Sequence, residues 1–404
     1  MANLAVNGGT PLYQRGEYQH MLWPPVNEET ADRMRELYLS RAWSFNSKCE
    51  QEFENEFAKM HDAAYGIFMV NGTVTLEAAL AALAIGPGDE VIIPALTWVA
   101  TAMAAKYVGA KIVMADIDPE TLTLDPAAFE AAITPRTKAV IPVHLYGSMA
   151  DLEKICAIAE RHHIAVVEDC AHMQGGKWAG RGVGSWGSIG SFSFQQSKML
   201  SGGEGGICLT NDPQLAERLY RFKHIGYSRY DRQGSAATPP PPGLICHNYR
   251  GQAFSALALS GQLPGLPEVL ERCEAYYNRF CAGVADIPGI RVQKHGRLAT
   301  RQGYYGFGIM FESGPWLQAD PTRIWAAIEA EGVPFEFNYG PVYRHRLFNL
   351  AAEDYRLPEG GCPITETLYQ RLMGIKHYNM YYPEEADKYV AVIRKVAANI
   401  KELC

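Results

Sequence analysis

The chain has 404 residues, 48% of them hydrophobic, enough to bury a large core over two or three domain lengths, which excludes disorder as its general state. Its 44 acidic and 37 basic residues give a formal net charge of -7 with no long run of either sign, which speaks against a nucleic-acid partner. Nine scattered cysteines without a CxxC pair speak against a disulfide framework or a zinc knuckle and fit a reducing cytoplasm.

Residues 1–30 read as an N-terminal arm without a secretory pattern. Residues 31–250 read as one large α/β domain, because short apolar runs alternate with helical patterns, as in a mostly parallel sheet with crossover helices. Strands are predicted at 65–70, 90–94, 111–115, 138–144, 164–168, 189–194 and 206–210, a seven-stranded sheet with helices on both faces. The helices between them fall at 73–84, 97–108, 126–132 and 150–162. No helix separates the last two strands, so one of them is expected to run antiparallel. The longest apolar run, residues 91–105, is interrupted by Pro94 and is too short for a membrane span, so no membrane partner is expected.

Residues 226–247 turn polar and Pro-rich, with Pro239, Pro240, Pro241 and Pro242 in succession, and read as an exposed excursion. Residues 251–285 carry two connecting helices, at 254–262 and 267–285. Residues 286–404 read as a smaller α+β domain with a strand at 306–311 and helices at 321–332 and 384–403.

Two polar residues follow buried strands directly, Asp169 in IAVVEDCAHMQGG and Lys198 in IGSFSFQQSKMLSGGEGG. Open α/β sheets bind ligands beyond the carboxyl ends of their strands, so both side chains are candidates for one crevice. Taken alone, such a pair is more often a structural salt bridge. The surroundings favour chemistry: the glycine-rich stretch 202–206 lets backbone approach a ligand, and Asn71-Gly72-Thr73 opens a helix whose free N–H groups suit an anion. A lysine, an aspartate and a phosphate-sized anion site together suggest pyridoxal phosphate, with the lysine as Schiff base and the aspartate on the pyridine nitrogen.

These residues, with residues 94–101 (PALTWVAT), 143–147 (VHLYG), 168–172 (EDCAH) and 192–198 (FSFQQSK), resemble the DegT/StrS sugar aminotransferase family, pyridoxal phosphate enzymes of fold type I. The resemblance makes Lys198 the Schiff-base lysine and proton carrier, and Asp169 the partner of the pyridinium. It places Trp98 on the ring, the alternative being a core tryptophan, and His172 at the phenolic oxygen, where many members have Gln. Ser193, Gly72, Thr73 and Val74 take the phosphate, and Asn248 reaches the phosphate of a neighbouring subunit, which implies a homodimer with shared sites.

Residues 182–187 spell GxGxxG but precede a strand, so they read as a turn, not a dinucleotide site. The eleven histidines include no HExxH, and no metal is expected. Within the family, residues 300–307 and 195–198 are closest to the branch that aminates cyclitol ketones of the scyllo-inosose type in aminoglycoside pathways. The cofactor then alternates with pyridoxamine phosphate, glutamine or glutamate is the amino donor, and Tyr304, Tyr305, Tyr343 and Arg344 are candidate substrate contacts. Two alternatives stay open: an aminohydroxybenzoate synthase-like or sugar dehydratase on the same fold, and a non-catalytic binding or regulatory protein that kept it.

Overall fold

Alternation along the strands decides how the large sheet is buried. In Glu90–Pro94, Ile92 joins one hydrophobic cluster with Val113, Val140 and Ile155, whereas Val91 and Ile93 join another with Ile67, Met69 and Leu80. The computed structural model describes residues 3–404 apart from 15, 45, 46, 233 and 338; residues 1, 2 and 15 of the predicted arm thus lie outside the described residues. Its strands β1 (Tyr65–Met69), β2 (Glu90–Pro94), β3 (Lys111–Ala115), β4 (Thr137–Val140), β5 (Ala165–Asp169), β6 (Ile189–Ser193) and β7 (Gly206–Thr210) lie in the order β1, β7, β6, β5, β4, β2, β3. β7 runs antiparallel to both of its neighbours, and the other pairings are parallel.

The sheet has eight strands, not the predicted seven. The eighth, Tyr355–Arg356, comes from the C-terminal part of the chain and pairs parallel with β3 at the edge. Two residues are too few for an alternating pattern to register. β4 also stops earlier than expected, at Val140, because Pro142 has no N–H to donate. Beyond it, Ile141 N–H still reaches Ile92 O at 2.8 Å, and Val143 keeps a bridge to Asp169.

Caps set where the crossover helices begin. Asn71 accepts from Val74 N–H at the head of Gly72–Ala82, Asp125 from Ala127 N–H before Pro126–Ala132, and Asp151 from Lys154 N–H before Leu152–Arg161. Helices Glu28–Ser40, Lys48–Met60 and Pro213–Lys223 add to the predicted set. Under the end of β6, Phe53, Phe57, Phe68, Phe192 and Phe194 are fully buried and meet largely edge to face. Each contributes about 1.5–3 kcal/mol of burial free energy, which fixes the strand that ends in Ser193.

A second, four-stranded antiparallel sheet has the order Ile290–Val292, Gly306–Phe311, Leu372–Lys376, Glu336–Phe337. Helices Leu266–Val284 and Glu385–Ala398 supply Tyr276, Phe280 and Tyr389 to the core it shares with Phe307 and Ile309. Among the described residues, no helix is long and apolar enough to cross a membrane.

Candidate active site

Asp169 and Ser193 end β5 and β6, and Lys198 follows β6 after a short turn. All three border one cavity of about 410 Å³, together with Trp98, His172 and Tyr305. The strand ends singled out in the sequence thus meet at one cavity.

At one end of the cavity, the helix Gly72–Ala82 points its N-terminus at Ser193. A Cβ on Gly72 would lie 2.5 Å from Ser193 Cβ, so only glycine lets the helix start this close to the strand. Gly72 and Thr73 line the cavity, and first-turn N–H groups have no partner within their own helix. Val74 does not join them: its N–H donates to Asn71 Oδ1 at 2.9 Å and its side chain is buried in the core. The cap thus already engages the Val74 N–H that the family resemblance assigns to the phosphate.

The Asp169 carboxylate is 5% exposed and accepts one hydroxyl, from Thr101 at 2.9 Å, and one amide, from Ala171 at 3.2 Å. Burial raises its pKa above the ordinary carboxylate value; Thr101, the Ala171 N–H and the charge of Lys198 work against that rise. No ion pair joins Asp169 to Lys198. The Lys198 Nζ instead stands over the Tyr305 ring, 4.5 Å from its centroid. Burial lowers the lysine's pKa, with Tyr305 and Asp169 opposing and Lys376 adding to the fall. An amine whose pKa is lowered is suited to Schiff-base and proton-transfer chemistry.

His172 stacks on Tyr305, with centroids 3.8 Å apart and planes 5° apart. Burial holds its pKa well below the usual value, with the charges of Lys198 and Lys376 adding to the effect. The ring is neutral and its Nδ1 accepts from Tyr146 N–H at 3.3 Å, which assigns the proton to Nε2. Trp98, 42% exposed, stands at the cavity wall beside Tyr339 rather than in the core.

Of the four expected substrate contacts, only Tyr305 reaches the cavity. Tyr304 is buried among Tyr277 and His295, while Tyr343 donates to Glu366 at 2.7 Å and Arg344 pairs with the same carboxylate at 2.8 Å. Asn248 is exposed and does not line this chain's cavity. Sequence reasoning missed Thr101, Tyr339 and the contact of the arm with the lysine loop, where Trp23 Nε1 donates to Gln196 O at 2.8 Å. Thr101 was findable, one helical turn after Thr97 at a helix start; no sequence signal marks the other two.

The GxGxxG turn serves the protein, not a dinucleotide. Gly184, Trp186 and Gly187 each donate a backbone N–H to the Glu168 carboxylate, all at 2.8 Å. His144, Glu168 and Cys170 have ligand atoms within 4.8 Å of one another, but that carboxylate is engaged by the turn and His144 Nδ1 by Ala150 N–H.

The residues fit pyridoxal phosphate on three structural grounds: an under-satisfied buried carboxylate, a half-buried amine without an ionic partner among the described residues, and a helix head that tolerates only glycine. Fold and site define a pyridoxal phosphate-dependent aminotransferase of fold type I. The chain belongs to the DegT/DnrJ/EryC1/StrS aminotransferase family, whose model matches residues 24–394. It is 36% identical, over the whole of both chains, to an L-glutamine:2-deoxy-scyllo-inosose aminotransferase of Micromonospora echinospora. It is 37% identical to a protein of that name from Streptomyces kanamyceticus, over 87% of this chain and 84% of the other. Among solved structures it resembles 3-amino-5-hydroxybenzoic acid synthase with a TM-score of 0.86, at 27% identity over 94% of this chain and 99% of that one.

Proposed function

We propose that this enzyme moves the α-amino group of glutamine or glutamate to a cyclic polyhydroxy ketone of the scyllo-inosose type, in aminoglycoside or related sugar biosynthesis. The donor becomes its 2-oxo acid and the ketone's C=O becomes CH–NH2, so the exchange consumes no oxidant. The observation that carries the reading is Lys198, half-buried and without an ionic partner among the described residues, facing the same cavity as Asp169 in a chain whose full-length relative is named for that transfer.

The bound cofactor supplies an electron sink that makes a proton on the carbon bearing nitrogen removable. Lys198 would take that proton from the donor carbon and return one to the ketone-derived carbon, a role helped by the lowering of its pKa by burial. Asp169 holds the proton of the pyridine nitrogen with its remaining acceptor capacity. His172, with its proton on Nε2, would meet the phenolic oxygen, and Trp98 at the cavity wall would cover the ring. Gly72, Thr73 and Ser193, which line that end of the cavity, would hold the phosphate.

Lys198 is the one cation among the described residues lining the cavity, which leaves the phosphate end without a positive side chain of this chain. That deficit and the exposed Asn248 support a homodimer in which the partner's Asn248 completes the phosphate site. Exposed Tyr230 and Ile245, in the excursion just before Asn248, supply apolar surface for such an interface. Nine free cysteines support a cytoplasmic setting.

The test is a panel of cyclic ketones against enzyme loaded with cofactor and either amino donor. Amino-cyclitol product is expected with native protein and none with Lys198→Ala. Transfer that survives the substitution, or its absence with every ketone, overturns the reading.

A further inference from the structure

A smaller cavity of about 150 Å³ adjoins the main one, with Tyr305 and Tyr339 in the walls of both. It lies on the four-stranded sheet. Lys376 stands opposite Gly306, and both Gly308 and Glu336 stand opposite Gly374. Directly opposed strand residues share a face, so Gly306 and Gly374, both in the cavity wall, clear the floor on which Glu336 and Lys376 stand. Their side chains form a pair at 3.0 Å, 30% and 26% exposed, and the Tyr378 hydroxyl donates to the second Glu336 oxygen. Lys376 is near enough for its charge to act on both Lys198 and His172.

We infer that Lys376 and Glu336 form a carboxamide subsite that selects glutamine over glutamate as amino donor; the inference rests on the aminotransferase reading above. A primary carboxamide presents an acceptor oxygen and a donor NH2 side by side. Lys376 offers only donors and the Glu336 carboxylate only acceptors, so the pair is the complement of that group in both halves. The side-chain carboxylate of glutamate brings a second acceptor against Glu336, and the like charges repel. A neutral polyhydroxy ketone contains no feature that calls for two opposite full charges. With no donor bound, the two side chains satisfy each other, so neither charge is stranded.

The test uses cofactor-loaded protein and two unreactive probes: glutaramate, which is glutamine without its amino group, and glutarate, the same skeleton of glutamate. Calorimetric titration is expected to show glutaramate binding at least about tenfold tighter than glutarate to native protein. Glu336→Gln is expected to bring the two within about twofold, and Lys376→Met to weaken glutaramate about tenfold. In amino transfer, Glu336→Gln shifts the KM ratio of glutamine to glutamate while the KM for the ketone stays constant. Equal binding of both probes to native protein, or a Glu336→Gln protein that keeps the native ratio, overturns the assignment. So does an effect confined to the ketone, which transfers the pair to the acceptor. Failure of the aminotransferase reading looks different: no donor reacts with any ketone, whichever residue stands at position 336.

Discussion

On β5, Glu168 and Asp169 point to opposite faces of the sheet, and the two faces treat their carboxylates differently. Glu168 is fully buried and accepts three backbone N–H groups at 2.8 Å from one glycine-rich turn. Asp169 is nearly as buried but accepts one hydroxyl and one longer amide bond, and it faces a cavity. Burial alone therefore does not mark a functional carboxylate. The one whose acceptor capacity is exhausted is an anchor, and the one with capacity left over calls for a cation from outside the chain.

The sharpest test of that contrast exchanges each acid for its amide. Asp169→Asn removes the charge proposed to face the cofactor's ring nitrogen; steady-state kcat/KM should fall about 10²–10³-fold, the equivalent of about 3–4 kcal/mol, within the range lost when a buried charge loses its partner. Glu168→Gln should do the reverse. Urea unfolding should show a loss of about 2–3 kcal/mol, because an amide cannot accept all three turn bonds, while turnover per folded molecule stays within about twofold. A Glu168→Gln protein of native stability and crippled turnover would break the comparison.

Gly72→Ala tests the cavity side by sterics. The added Cβ must displace the helix head from Ser193, so cofactor retention on dialysis should weaken about tenfold, with an overpacking cost of about 1–3 kcal/mol. The smallest effect is in pH. In cofactor-free protein, the unfolded chain releases the Asp169 proton near the ordinary 3.8, whereas the folded chain keeps it to higher pH. The folded state then binds more protons across that window, so stability falls as pH rises from the ordinary value through the raised one. Melting temperature against pH should show this decline in native protein, lose it in Asp169→Asn, and extend it to higher pH in Thr101→Val, which removes the hydroxyl that opposes the rise.

Legibility followed the strength of the pattern. β2, β3, β7 and Gly306–Phe311 fall on their predicted bounds because each is an unbroken apolar run between polar or glycine stops. Helices Glu28–Ser40 and Lys48–Met60 lack that signal, since their sequences are rich in charge, yet Ser47 with Glu50 three residues on is a capping pattern that marks the second. Asp212-Pro213 marks Pro213–Lys223 in the same way. In the site, Asp169, Ser193 and Lys198 were readable because a strand end positions them. Tyr339 and Lys376 were not, because only the docking of the second sheet brings them to the cavities.

The eighth strand also bears on how the protein is made. β3 has an open edge until Tyr355 and Arg356 arrive, and the closure is clamped on either side: Lys106 pairs with Asp354, and Arg356 reaches Glu90 and the Ala132 carbonyl. During translation most of the sheet leaves the ribosome long before the residues that cap it, so the nascent chain carries a bare pairing surface through much of its synthesis. A polypeptide cut before residue 355 keeps that surface permanently. The half of the molecule that carries Asp169, Ser193 and Lys198 thus depends on residues 355 and 356, the last of the sheet to be synthesised, to cover one edge of that sheet.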